Sequence, residues 1–136
     1  MSRGIRNCNP GNIRQSRTRF VGEILPSRDS SFKEFQSMAY GYRAMFVLLD
    51  TYSRRYNLCT IRSMISRWAP PIENNTESYI RYVAEHSGID ADSKLDSRSQ
   101  RDMIPVVMAM SEVENGQKAV LKDVEAGWQM FVDERK

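Results

Sequence analysis

From Ser37 onward the apolar positions fall into a helical rhythm. Tyr42, Met45, Phe46, Leu49, Tyr52 and Tyr56 recur three and four residues apart. That spacing predicts an amphipathic helix of about five turns, with Ser37 as its N-cap and Tyr56-Asn57 at its end. Thr60 can cap a second, short helix, Ile61 to Trp68, which Pro70-Pro71 stops because proline cannot donate to a continuing helix. Asn74-Asn75-Thr76-Glu77 opens a third helix, with Asn74 and Glu77 as a variant of the capping box; Tyr79, Ile80 and Val83 form its buried stripe and Gly88 suits its C-terminal end. A fourth helix spans Ser99 to Glu114, with Met103, Ile104, Val107, Met108 and Val113 inward. Pro105 sits harmlessly if that helix starts by Ile104 and kinks it otherwise. Asn115-Gly116 ends it, and a last helix runs from Gln117 to Arg135 with Val120, Leu121, Val124, Trp128, Phe131 and Val132 on its apolar face.

Before Ser37 the pattern is different. Phe20 to Ile24 and Ser31 to Phe35 are short and rich in strand formers, and Leu25-Pro26-Ser27-Arg28-Asp29-Ser30 between them is turn-prone. These stretches predict a small β-hairpin. Residues 1–19 read as a loop, with Asn9-Pro10-Gly11-Asn12 as a strong turn signal. The expected fold class is therefore α+β and mostly helical: one domain over residues 1–136, made of an Asn/Arg-rich loop (1–19), a hairpin (20–36) and about five helices (37–136).

Composition adds limits. A chain of 136 residues with 40% hydrophobic and 27% charged positions suits one ordinary globular core. No run approaches the ~20 apolar residues of a membrane span, and the N-terminal arginines precede no apolar segment of a secretory signal. Cys8 and Cys59 are too few for a disulfide framework and read as reduced thiols. With one histidine, the sequence predicts neither a metal site nor a cofactor.

The net charge is +3, but the kind of base matters more: of the 20 basic residues, only Lys33, Lys94, Lys118, Lys122 and Lys136 are lysine. Arginine offers a planar fork to carboxylates and phosphates. Arg3, Arg6, Arg14, Arg17 and Arg19 crowd the first nineteen residues, ahead of the first acid, Glu23. An end of this kind suits an anionic partner, or else pairs with the acids further along.

Among carboxylates, Glu23 follows Gly22 just past the basic loop, with Asp29 and Glu34 near in sequence. In a hairpin, Glu23 and Glu34 could face each other and serve as acid and base at a scissile bond. The plainer alternative is that they are solvated and paired with arginine. Tyr40, Tyr42, Tyr52, Tyr56, Trp68, Tyr79 and Tyr82 cluster in the first three helices, where aromatic rings either line a sugar groove or fill the core. His86 is the only histidine, so a nucleophilic triad has no support. No phosphate loop, RNP or zinc-finger pattern occurs, and nucleic-acid binding rests on arginine content alone, which is weak evidence, so nucleic acid is not an expected partner.

The segments RGIRNCNPGNIR, FVGE, SFKEFQSMAYGYRAMFVLLDTY and TIRSMISRWAPPIENNTESYIRYVAEHSG together resemble one family over residues 3–88. It comprises bacteriophage and prophage virion structural proteins built around an RGIRNNNPGNIR opening and a WAPP-x-ENNT-x-x-Y segment. More distantly, the order of motifs is similar to the lysozyme-like superfamily, with its glucosaminidases and lytic transglycosylases. That resemblance implies a lysozyme-like fold, a peptidoglycan glycan strand as substrate and a carboxylate general acid. Glu23 is then the best-placed acid, with Glu34 or Asp29 as secondary carboxylate. Arg6, Asn9, Asn12, Tyr40, Trp68, Asn75 and Tyr79 would shape the groove. Two departures stand out. Lysozyme-like enzymes carry their principal glutamate at the end of a helix upstream of the Asn-rich segment, where only Met1 to Ile5 stand here, and Cys8 replaces a family asparagine. The implied function is a phage-type protein that engages peptidoglycan, as a glycosidase or lytic transglycosylase, or as a non-catalytic virion structural or host-interaction module. Its partners would be glycan, virion or host proteins. Its place would be the virion or the host cytoplasm, with delivery to the periplasm.

Overall fold

The helix expected from the Tyr42–Leu49 spacing forms as α2, Met38–Tyr56, in the computed structural model, which describes residues 1–71 and 74–134. Ser37 caps it, its side chain accepting from the Tyr40 N–H at 3.3 Å, and Asn57 ends it in the left-handed region at φ 56°. α3, Ile61–Trp68, starts on a reciprocal cap between Thr60 and Ser63. α4 covers Thr76–Ser87, α5 Gln100–Asn115 and α6 Leu121–Asp133. A short α1, Arg3–Arg6, lies in the stretch that reads as loop.

Several boundaries differ from expectation. Asn75, rather than Asn74, caps α4 by accepting from the Ser78 N–H, while the Asn74 amide donates to the Pro70 carbonyl at 3.1 Å. α5 keeps its expected span, with Ser99 as its cap, and Pro105 stands inside it. α6 begins at Leu121, four residues after Gln117. Ile72 and Glu73 of the WAPP-x-ENNT segment, and Arg135 at the expected end of the last helix, lie outside the described residues.

The expected α+β, lysozyme-like layout with a β-hairpin is not what forms. The described residues hold six helices and no strand. Among the described residues there are two isolated antiparallel bridges, Arg14 with Phe32 and Glu23 with Phe35. The reason is visible in the backbone bonds of residues 31–36. Lys33 N–H donates to Ile13 O and Gln15 N–H to Ser31 O, both at 2.9 Å. From the very next residue the same segment turns to a different neighbour: Ile24 N–H donates to Glu34 O at 2.8 Å and Gln36 N–H to Gly22 O at 2.9 Å. An extended segment that changes partner this quickly never builds a ladder.

α2 is the centre of the core. Tyr42, Met45, Phe46 and Leu49 are buried, and α6 lies along it, with Trp128 edge-on to Phe46 at 4.9 Å between ring centroids. Ile13, Phe20 and Phe35 from the non-helical region close one side of the same core. The α2–α6 approach depends on Gly127. A Cβ there would stand 2.7 Å from Tyr42 Cβ and 2.8 Å from both Ala39 O and Arg43 N. These neighbours are backbone or near-backbone atoms and cannot swing aside. Gly127→Ala is therefore expected to lower unfolding free energy by about 1–3 kcal/mol in a urea melt, despite alanine's better helix propensity. Equal midpoints for variant and wild type would refute this packing.

Among the described residues no helix is long and apolar enough to cross a membrane.

Candidate functional site

The three carboxylates that the sequence singles out are drawn into structural ion pairs. Glu23 and Lys33 form a buried pair at 3.0 Å, with side chains 2% and 0% exposed. Glu34 takes the Arg28 backbone N–H at 3.0 Å and the Arg28 guanidinium at 2.8 Å, and the Arg28 bond holds its pKa below the usual range. Asp29 receives the Arg3 guanidinium, the Asn7 amide and the N–H groups of Ser31 and Phe32. Arg3 above all pushes the Asp29 carboxyl far down. A general acid must carry a proton near working pH, and the arrangement around Asp29 and Glu34 favours the opposite state. All three act as staples that shape residues 13–36.

The NPGN turn is tied down on two sides. Asn9 is fully buried; its amide donates to Ile13 O at 3.0 Å and Lys33 O at 2.9 Å, and its carbonyl accepts the Ile13 N–H at 2.9 Å. Gly11 passes so close to α3 that a Cβ would meet the Trp68 ring at 2.7 Å. The Trp68 indole N–H donates to Gly11 O at 3.1 Å. Asn12 adopts φ 50°, which asparagine tolerates better than most residues. Cys8 also stands at φ 50°, a conformation that asparagine adopts more readily than cysteine.

The other side of the latch is the end of α5. Asn115 accepts from the Ser2 hydroxyl at 2.7 Å and donates to Pro10 O at 2.9 Å. One residue earlier stands Glu114, whose carboxylate accepts the Asn12 amide and the Tyr79 hydroxyl, each at 2.9 Å. Burial raises the Glu114 pKa, against the bonds from Asn12 and Tyr79 and the charge of Arg14. Tyr79 in turn is pushed well up by burial and by Glu114.

Glu114 lies between two depressions. One, of about 460 Å³, is lined by Gly11, Asn12, Arg14, Phe32, Arg67, Trp68, Ala69, Pro70, Asn74 and Glu114. The other, of about 450 Å³, is lined by Asn74, Asn75, Ser78, Tyr79, Tyr82, Val113 and Glu114. Because Asn74 and Glu114 belong to both, the two form one groove with a carboxylate at its middle. Its mixture of aromatic rings, amides and a carboxyl suits a polar polymer with apolar ring faces, such as a glycan. A slightly larger depression, about 540 Å³, surrounds Arg54, Lys94 and Arg98. It holds none of the residues singled out from sequence, and the buried Asp50 beneath it is paired with Ser97 and Arg98.

Of the sequence-predicted binding residues, Asn12, Trp68, Asn75 and Tyr79 meet at the groove, although Asn75 is also the α4 cap and Tyr79 is 6% exposed. Asn9 is buried beneath it. Arg6 is exposed on α1 and Tyr40 packs over Gly22, and neither lines the groove. Glu114 escapes the sequence reading because it falls at the end of a good helical pattern. One signal was present: an acid in the last turn of a helix opposes the helix dipole and calls for a reason. Among the described residues no cluster of three histidine, cysteine or acidic side chains could hold a metal ion.

No family model matches the chain. Protein P5 of Pseudoalteromonas phage PM2 is 39% identical to it over 118 residues, which cover 85% of this chain and 72% of that protein.

Proposed function

The chain belongs to the same family as this phage protein, and from that premise we propose that it engages the glycan strand of peptidoglycan in the groove and cleaves it with Glu114 as the acid. The observation that carries the reading is a carboxyl of raised pKa at the junction of two sugar-sized depressions. A disaccharide laid across the groove would place its bridging oxygen beside Glu114. The carboxyl gives its proton to that oxygen as the bond to the anomeric carbon breaks. A hydroxyl or water then adds to the anomeric carbon and returns a proton to the carboxylate. Trp68 supplies ring surface for one sugar, and Asn12 and Tyr79 hold the carboxyl in place. The protein would act in the periplasm, brought there by the virion or from the host cytoplasm.

The test is release of soluble muropeptides from purified sacculi by wild type and Glu114→Gln, with sacculus pull-down alongside. Glutamine can still accept from Asn12 or Tyr79, so the variant should fold and still bind sacculi while release disappears. Wild-type release should also fall as pH rises through the raised Glu114 pKa, because the acid loses its proton. Undiminished release by Glu114→Gln would reject this assignment. A second reading has its own support: both Glu114 oxygens are engaged by the protein itself, as in a purely structural tie. Bound sacculi with no release from wild type would make the chain a non-catalytic virion module.

A further inference from the structure

We infer that the non-helical N-terminal region docks on an anionic lipid surface through Arg17, Arg19, Val21 and Leu25, whatever the groove takes. Charge is divided unevenly along the chain. Residues 1–36 hold seven basic and three acidic side chains, a net +4, whereas residues 37–136 hold thirteen and fourteen, a net −1. The three acids are taken up inside the region, Glu23 by Lys33, Asp29 by Arg3 and Glu34 by Arg28. Arg17 and Arg19 are exposed, and among the described residues no carboxylate pairs with either.

The loop that carries these two arginines is held from beneath. The buried Lys33 ammonium bonds the carbonyls on either side of Arg17, Ser16 O at 3.3 Å and Thr18 O at 2.9 Å. Arg19 and Val21 flank Phe20, which is buried while both neighbours are exposed. Val21 stands in a turn closed by the bond from Glu23 N–H to Phe20 O at 3.1 Å. Val21 is 50% and Leu25 53% exposed, so two cations and two large aliphatic side chains meet solvent within nine residues. A cationic loop alone suits any polyanion; the aliphatic pair decides for lipid. Guanidinium groups bond headgroup phosphates while aliphatic side chains enter the acyl boundary below them. Single-stranded nucleic acid takes stacking rings beside its cations. Here Phe20 and Phe35 belong to the core, and Phe32 lies under Arg3 and Arg14. A duplex needs no ring, but its phosphate backbone gives Val21 and Leu25 nothing apolar to meet.

Co-sedimentation tests this with the full chain and vesicles of phosphatidylcholine, either alone or mixed equally with phosphatidylglycerol. Binding is expected to the mixed vesicles only, weakening as salt rises. Arg17→Gln with Arg19→Gln should lower the affinity about thirtyfold, from about fivefold for each arginine. Val21→Ser with Leu25→Ser should lower it at least about tenfold. Melting temperatures should stay near wild type in both double variants, because all four side chains are exposed. Equal binding to the two kinds of vesicle, or binding to neither, would overturn the inference. Unchanged vesicle binding by Val21→Ser with Leu25→Ser would also overturn it, since apolar insertion would then play no part. A short DNA duplex serves as the competing polyanion: DNA binding without vesicle binding would assign the loop to nucleic acid instead. None of these readouts involves muropeptide release, so they stand apart from the Glu114→Gln result.

Discussion

Glu23→Gln is expected to lower unfolding free energy by about 3–5 kcal/mol, the range for removing one partner of a buried ion pair. The cause is Lys33. Its ammonium is fully buried, and it bonds Thr18 O at 2.9 Å, Ser16 O at 3.3 Å and Glu23 Oε2 at 3.0 Å. Two carbonyls can solvate the ammonium in part, but only Glu23 balances its charge. The second Glu23 oxygen accepts the Phe20 N–H at 3.2 Å, so the variant also weakens the corner before Gly22. A chemical melt of the single variant and of Glu23→Leu with Lys33→Met separates charge from packing. The double variant should recover much of the loss, since it leaves no buried charge alone. If Glu23 were instead a catalytic acid, Glu23→Gln would fold like wild type and lose only muropeptide release. That outcome would sink the structural assignment.

Asn9→Ala is expected to cost about 2–4 kcal/mol. The change strands two buried backbone groups, the Ile13 N–H and the Lys33 carbonyl, and takes one of two donors from the Ile13 carbonyl, which keeps the Lys33 N–H. The Lys33 N–H bond to Ile13 O remains, but it cannot supply the donor that the Lys33 carbonyl loses or the acceptor that the Ile13 N–H loses. Asn9→Asp should be comparably damaging even though it nearly preserves shape, since an acceptor would then face two carbonyls. Arg6→Ala, on an exposed side chain, should leave the melting temperature unchanged. Amide exchange at Ile13 provides a local readout: its protection should fall further than that of α2 in Asn9→Ala. A wild-type melting curve for that variant would remove the turn's role as a latch.

Helix-scale order was legible in the sequence because it depends on short-range periodicity. The stripe of Tyr42, Met45, Phe46 and Leu49 predicted α2, and Ser37, Thr60, Gly88 and Gly116 marked helix ends close to where they fall. The NPGN turn and the meeting of Asn12 with Trp68 and Tyr79 were legible in part, through residue type and the spacing of the motifs. The strand assignment was not. Residues 20–24 and 31–35 have strand composition, yet composition says nothing about which neighbour each residue bonds. Here residues 31–36 are shared between residues 13–15 and 22–24, which leaves bridges in place of a sheet.

The acids show the same division more sharply. Sequence placed Glu23, Asp29 and Glu34 near the Asn-rich turn and made them candidates by proximity along the chain. Whether a carboxylate is a staple or a reactive group depends on which cations and donors fold against it, and composition along the chain does not say which those are. Lys33 captures Glu23, Arg28 captures Glu34 and Arg3 captures Asp29. Glu114, about a hundred residues from the turn, receives an amide and a phenol, and burial outweighs these bonds and the charge of Arg14. Thus the chain's local pattern determined its helices, its caps and its tight turn, because each rests on a few consecutive residues. Only the tertiary structure decided which carboxyl stands in the groove, because burial and hydrogen-bond partners belong to segments that meet in space.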